Sequence, residues 1–183
     1  MRYTASLVRS CLILLLLWSV ASAMKPDERE EGQDGALPAN ESKVIEKWRG
    51  TWDVTATRRQ PQPLQTVTYV ETADWVLNGR YLRTETGRKS DGAQTMSMFW
   101  FDAAIKAYRS VVFDSSGLAA ELPPGVWNAG AQTMEWKTGR MSPTSYAGHA
   151  TFEGPDRMRW KALWKDWKGT IILDLEGTST RRK

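Results

Sequence analysis

From Trp48 onward, large apolar side chains alternate with Thr, Ser, Lys, Arg and Asp, the period-two pattern of strands with one dry face and one wet face. One parity carries Trp52, Val54 and Ala56, then Val67, Tyr69, Ala73 and Trp75, then Met96, Met98 and Trp100. Farther on come Tyr146, Gly148, Ala150 and Phe152, then Met158, Trp160, Ala162 and Trp164, and last Ile171, Leu173 and Leu175. Turn formers separate these runs, among them Pro61 and Pro63, Asn78-Gly79, Asp91-Gly92, Ser116-Gly117, Pro123-Pro124-Gly125, Gly154-Pro155 and Lys168-Gly169. The spacing predicts roughly ten sequential strands joined by hairpins, opened by one helical turn over residues 44–48. Closing such a meander removes the edges a flat sheet would expose. The expected fold is therefore all-β: one antiparallel up-and-down barrel over residues 44–183. A sandwich would need longer crossovers than the turns allow.

The chain before Trp48 follows other rules. Arg2 and Arg9 precede an apolar run from Cys11 to Val20, followed by Ala21-Ser22-Ala23. A run of that length is short of the roughly 20 residues a spanning helix needs and has the form of a secretory signal, with cleavage expected after Ala23. Residues 24–43 carry almost no large apolar group and are expected to form a disordered leader. Loss of residues 1–23 takes away Cys11, the one cysteine, so neither a disulfide nor a thiolate is expected in the mature protein, which would be secreted or periplasmic. No membrane span is expected after cleavage.

The sequence has 25 Lys and Arg against 21 Asp and Glu, and without Arg2 and Arg9 the balance is nearly neutral. Basic residues are dispersed, with short runs such as Arg58-Arg59 and Arg181-Arg182-Lys183, which argues against a nucleic-acid partner and is read as solvated strand faces and a frayed tail.

Three segments together carry a resemblance: Trp48-Arg49-Gly50-Thr51-Trp52, the stretch from Trp75 through Asn78-Gly79-Arg80-Tyr81 to Leu82, and the stretch from Phe99-Trp100-Phe101-Asp102 through Tyr108 to Phe113-Asp114-Ser115-Ser116-Gly117. In this order they resemble a bacterial family of uncharacterised, secreted lipocalin-like domains related in shape to the calycins. The resemblance implies a meandering barrel opened by a Gly-x-Trp strand, in which Trp52 plugs the closed end beneath a basic residue from a late strand. It implies no general activity. Similar sequences usually have Gly-Tyr-Asp where this chain has Trp100-Phe101-Asp102.

Ten tryptophans is a high density, and apart from Trp18 all follow the leader. Rings of that size either pack a small barrel solid or line a cavity for a planar, apolar guest. The candidate ligand-binding residues are Trp75, Arg80, Tyr81, Met98, Trp100, Tyr108, Trp160 and Trp164. His149, the single histidine, has a distant analogy with the axial ligand of haem-binding barrels, but its parity sets it on the face opposite Tyr146, Gly148, Ala150 and Phe152. No cofactor or metal site is expected. Ser115-Ser116 reads as a turn and Asp102 as a hairpin closer, so no catalytic residue is assigned. Glu71 shares the inward parity of Tyr69 and Ala73. Glu85 and Asp166 are further acids with a possible inward course, for which Arg80 or Arg83 would be partners.

The expectation is a barrel that binds a small, largely apolar molecule without transforming it. The alternatives are a solidly packed structural or interaction module, and an isomerase or hydrolase acting on a hydrophobic substrate, which requires an inward carboxylate whose pKa is raised.

Overall fold

The computed structural model describes residues 39–139 and 142–183. The expected signal over 1–23 lies outside them, as does most of the expected leader. Helix α1 (Ala39–Glu46) leads into β1 (Gly50–Gln60), β2 (Gln65–Val76), β3 (Tyr81–Thr86), β4 (Thr95–Asp102) and β5 (Ala107–Asp114). There follow β6 (Ala119–Glu121), β7 (Gly125–Asn128), β8 (Thr133–Lys137), β9 (Ser145–Phe152), β10 (Arg157–Lys165) and β11 (Ile171–Arg181). The helix begins earlier than the sequence pattern indicates and takes in residues 39–43, which had been read as leader. Burial of Ile45 and Trp48 fixes its end, and Glu41 in its first turn favours the positive pole of the helix.

Each strand pairs antiparallel with its neighbours, and β1–β11 together with β4–β5 close the sheet into a barrel. Short β6 adds only to the open-end half of β5, through Val111 to Phe113, whereas β7 meets the other half of β5 through the single pair Tyr108 and Gly125. In effect β6 and β7 are one strand broken at Pro123-Pro124, where no backbone N–H exists to continue the ladder. The closed ring thus has ten staves, as the hairpin spacing predicts.

The inward row on β1 is Trp52, Val54 and Ala56, matched by Ser179 and Gly177 on β11 and by Val67, Tyr69, Glu71 and Ala73 on β2. β4 departs from the expected parity. Its inward row is Ser97, Phe99 and Phe101, because Phe99 faces Leu82 and Phe101 faces Tyr108, both buried. Met98 and Trp100 stand outside, where Trp100 lies 5.6 Å from the Tyr81 ring and the Arg109 guanidinium sits 5.6 Å above it. Apolar groups on both parities of β4 leave its burial to be decided by tertiary packing.

One end of the barrel is sealed. Trp48 meets Phe99 and Phe152 edge-on at 5.2 and 4.7 Å, and Ile45 is completely buried. The Trp52 indole N–H donates to Trp48 O at 2.8 Å, and the Arg181 guanidinium lies 4.2 Å above the Trp52 ring. Arg181 also donates to the carbonyls of Arg49, Lys47 (2.9 Å) and Pro155 (3.1 Å). Gly50 has φ of +120°, and a β-carbon there would come 2.5 Å from the same guanidinium, so the Gly in Gly-x-Trp is required on both counts. The tail is not frayed through Arg182: Arg181 is the clamp just described, and Arg182 makes a forked ion pair with Asp53.

Candidate functional site

Above the Trp48 layer the barrel is hollow. A cavity of about 310 Å³ runs between the staves toward the loops at the other end.

Its two sides differ in chemistry. β2 to β5 contribute Glu71, Thr84, Ser97 and Ser110 interleaved with Tyr69, Phe99 and Val112, whereas β8 to β11 contribute Trp136, Tyr146, Ala150, Met158, Trp160 and Leu175 with Ser179. The alternation of each strand accounts for both sides, since these residues occupy the inward parity in register with one another. The aromatic side has a specific construction. Trp136 pairs in register with Gly125, and Trp160 with Gly177. Tyr146 folds along its own strand over Gly148. A β-carbon at Gly125 would come 2.7 Å from the Trp136 Nε1, one at Gly148 would come 2.7 Å from the Tyr146 hydroxyl, and one at Gly177 would overlap the Trp160 ring. Each glycine lets a ring lie back against the sheet instead of projecting inward, the close approach for which a side chain of hydrogen alone has room. The Trp160 N–H, drawn down in this way, donates to Ser179 Oγ at 3.2 Å.

Glu71 is the charged group of the polar side. It is half-buried, and its remaining surface faces the cavity. Desolvation pushes its pKa up to about 7, while the positive charge of Lys89 pulls in the opposite direction. Neighbouring hydroxyls are paired with each other: Thr84 with Ser97 at 2.7 Å and Thr86 with Thr95 at 3.4 Å. Lys89, from the β3–β4 loop, reaches the cavity with its ammonium 5.0 Å over the Tyr69 ring, and burial lowers its pKa while Asp114 and Asp91 oppose that shift. Burial also raises the Tyr69 hydroxyl, and brings Tyr146 to about 12. Lys89, which no strand periodicity reaches, takes the place beside Glu71 considered for Arg80 or Arg83. Arg80 is exposed in the β2–β3 turn and Arg83 pairs with Glu85 on the outer face at 3.4 Å. Asp166 accepts from the backbone of its own turn.

Of the eight candidate ligand-binding residues, Trp160 lines the cavity. Trp164 is one layer closer to the loops, edge-on to Tyr146 at 5.8 Å. Tyr108 and Trp75 lie at the sealed end, Tyr108 against Phe101 at 5.2 Å and Trp75 donating its indole N–H to Glu46 at 2.5 Å. Tyr81, Met98 and Trp100 belong to the outer surface, as does Arg80. His149 is exposed on the outer face between Glu135 and Lys161. The residues missed, Trp136 and Tyr146 above all, had a signal in their spacing from inward glycines.

A family model described as a protein of unknown function, DUF1579, matches residues 37–173. The chain belongs to the DUF1579 family. This match takes in the helix, the Gly-x-Trp strand and every cavity-lining residue except Leu175 and Ser179. Three solved structures also share features with this DUF1579 chain. EF1p2_mFAP2b bound to DFHBI is 19% identical, with 78% of this chain and 99% of that chain covered and a TM-score of 0.40. The S-type phycobiliprotein lyase CPES from Guillardia theta is 14% identical over 77% of this chain and 92% of that one, with a TM-score of 0.48. A DUF3598 protein of unknown function from Nostoc punctiforme is 13% identical, TM-score 0.45, over 75% of this chain but 49% of its own length. No curated protein matches.

Proposed function

We propose that this barrel binds a small, largely apolar molecule in its interior without transforming it, and that it does so outside the cytoplasm after cleavage following Ala23. The observation that carries the reading is the hollow itself. Its volume of about 310 Å³ sits at the small end of the roughly 300–1,000 Å³ common for ligand sites, and three rings are held back against the wall by glycines that keep it open. Apolar surface on one side supplies affinity, and the few polar groups opposite supply orientation. The signal-like run at the N-terminus supports the location.

Proton-transfer catalysis draws on Glu71 as the inward acid it needs. Binding is the better reading because no hydrogen bond joins Glu71 to a second group among the described residues that would relay or orient its proton.

Titrating the protein from residue 24 onward with naphthalene-based fluorophores tests the proposal. Intrinsic tryptophan emission is expected to quench in a saturable way, and replacing Trp160 by Phe to remove part of that response. Native mass spectrometry of protein purified from its own host should show a retained small molecule. Absence of quenching by every probe, with no retained compound, sinks the reading.

A further inference from the structure

Resting on that binding reading, the chemistry of the cavity specifies the kind of guest. Glu71 is a carboxyl group on the wall of this hollow that makes no hydrogen bond and no close salt bridge among the described residues, and the one positive charge acting on it is that of Lys89. Burying such a group unpaired is costly, so the site gains most from a guest that brings the missing partner. Two partners are conceivable in principle: a donor or cation directed at Glu71, or an anion directed at Lys89. The surroundings of Lys89 decide between them. Its ammonium already stands over Tyr69 and faces Asp91 and Asp114, two carboxylates of its own. Glu71 is the third carboxylate sharing that one ammonium, which leaves negative charge in excess at this end of the cavity. The facing wall presents the π-surfaces of Trp136, Tyr146 and Trp160, which attract cations.

We propose that the cavity selects an organic ammonium on an aromatic or similarly flat hydrocarbon body, its N–H directed at Glu71 and its body laid against the Trp136 and Trp160 side. A carboxylate paired with a cation in a desolvated site holds its proton less tightly, so binding expels the Glu71 proton and strengthens as pH rises past the carboxyl's raised pKa. The titratable groups coupled to Glu71 are Lys89 from the β3–β4 loop and Tyr69 on its own strand, and Lys89 is in turn coupled to Asp91 from its loop, Asp114 on β5 and Arg58 on β1.

Three probes of matched size separate the possibilities: 1-naphthylmethylammonium, 1-naphthylmethanol and 1-naphthoate, each followed by tryptophan quenching at pH 5.5 and pH 8. The ammonium is expected to bind about tenfold more tightly than the alcohol at pH 8, with the carboxylate weakest and the ammonium's advantage shrinking at pH 5.5. Glu71→Gln should erase both the preference and its pH dependence, with a circular dichroism spectrum unchanged from the parent showing that the variant is folded. If alcohol or carboxylate binds as well as the ammonium, or if Glu71→Gln keeps the preference, the selection is overturned though the cavity still binds. If none of the three quenches, the binding reading falls and this inference falls with it.

Discussion

Glu71 is a carboxyl group that folding makes less acidic, and this has a sign that can be read in solution. Because the folded state holds the Glu71 proton more tightly than the unfolded chain, the stability associated with that proton is present in full below the unfolded value of about 4.5. It is lost as pH climbs through about 7. A shift of that size corresponds to on the order of 3 kcal/mol. Glu71→Gln removes the ionisation and keeps the shape. Its thermal midpoint is expected to equal that of the parent near pH 4 and to exceed it by several degrees at pH 8, measured by circular dichroism. Equal midpoints at both values would show that Glu71 is solvated. At the same scale Arg181 shows how one residue serves several neighbours, since it stacks on Trp52 and donates to three backbone carbonyls at the sealed end.

Among elements, β10 and β11 show how the cavity is kept open. The register pairs Trp160 with Gly177, and a methyl group at that glycine would collide with the ring. Gly177→Ala is therefore expected to swing Trp160 into the hollow, costing about 1–3 kcal/mol of stability in urea unfolding and weakening naphthylmethanol binding at least severalfold. Unchanged affinity would mean that the ring has other room. These strands were legible in the sequence because one parity is apolar and the other polar but for Leu163 and Ile172. β4 was not, since Met96, Met98 and Trp100 compete with Phe99 and Phe101, and only contacts with Leu82 and Tyr108 choose between the rows. Six of the eight candidate ligand residues lie outside the cavity, on that strand and the adjacent hairpin or at the sealed end, where ring size alone could not tell a plug from a lining. Glu71 was readable from parity, but its neighbour Lys89 was not, because it comes from a loop without periodicity.

For the whole molecule, the weakest seam is where β5 meets β7. One residue pair joins them, whereas β1 and β11 share a ladder from Trp52 to Gln60. Amide hydrogen exchange should accordingly be fastest among the staves at Gly125 to Trp127 and slowest along β1, β10 and β11. Uniform protection around the ring would contradict this. The opposite seam has a consequence for biosynthesis. Because β1 must join a strand that begins at Ile171, a ribosome has to deliver more than a hundred further residues before the first stave gains its second partner. Until then the nascent chain is an open ribbon, its tryptophan-rich side facing solvent, and holdase protection during translation would matter more for this architecture than for a helical bundle of equal length.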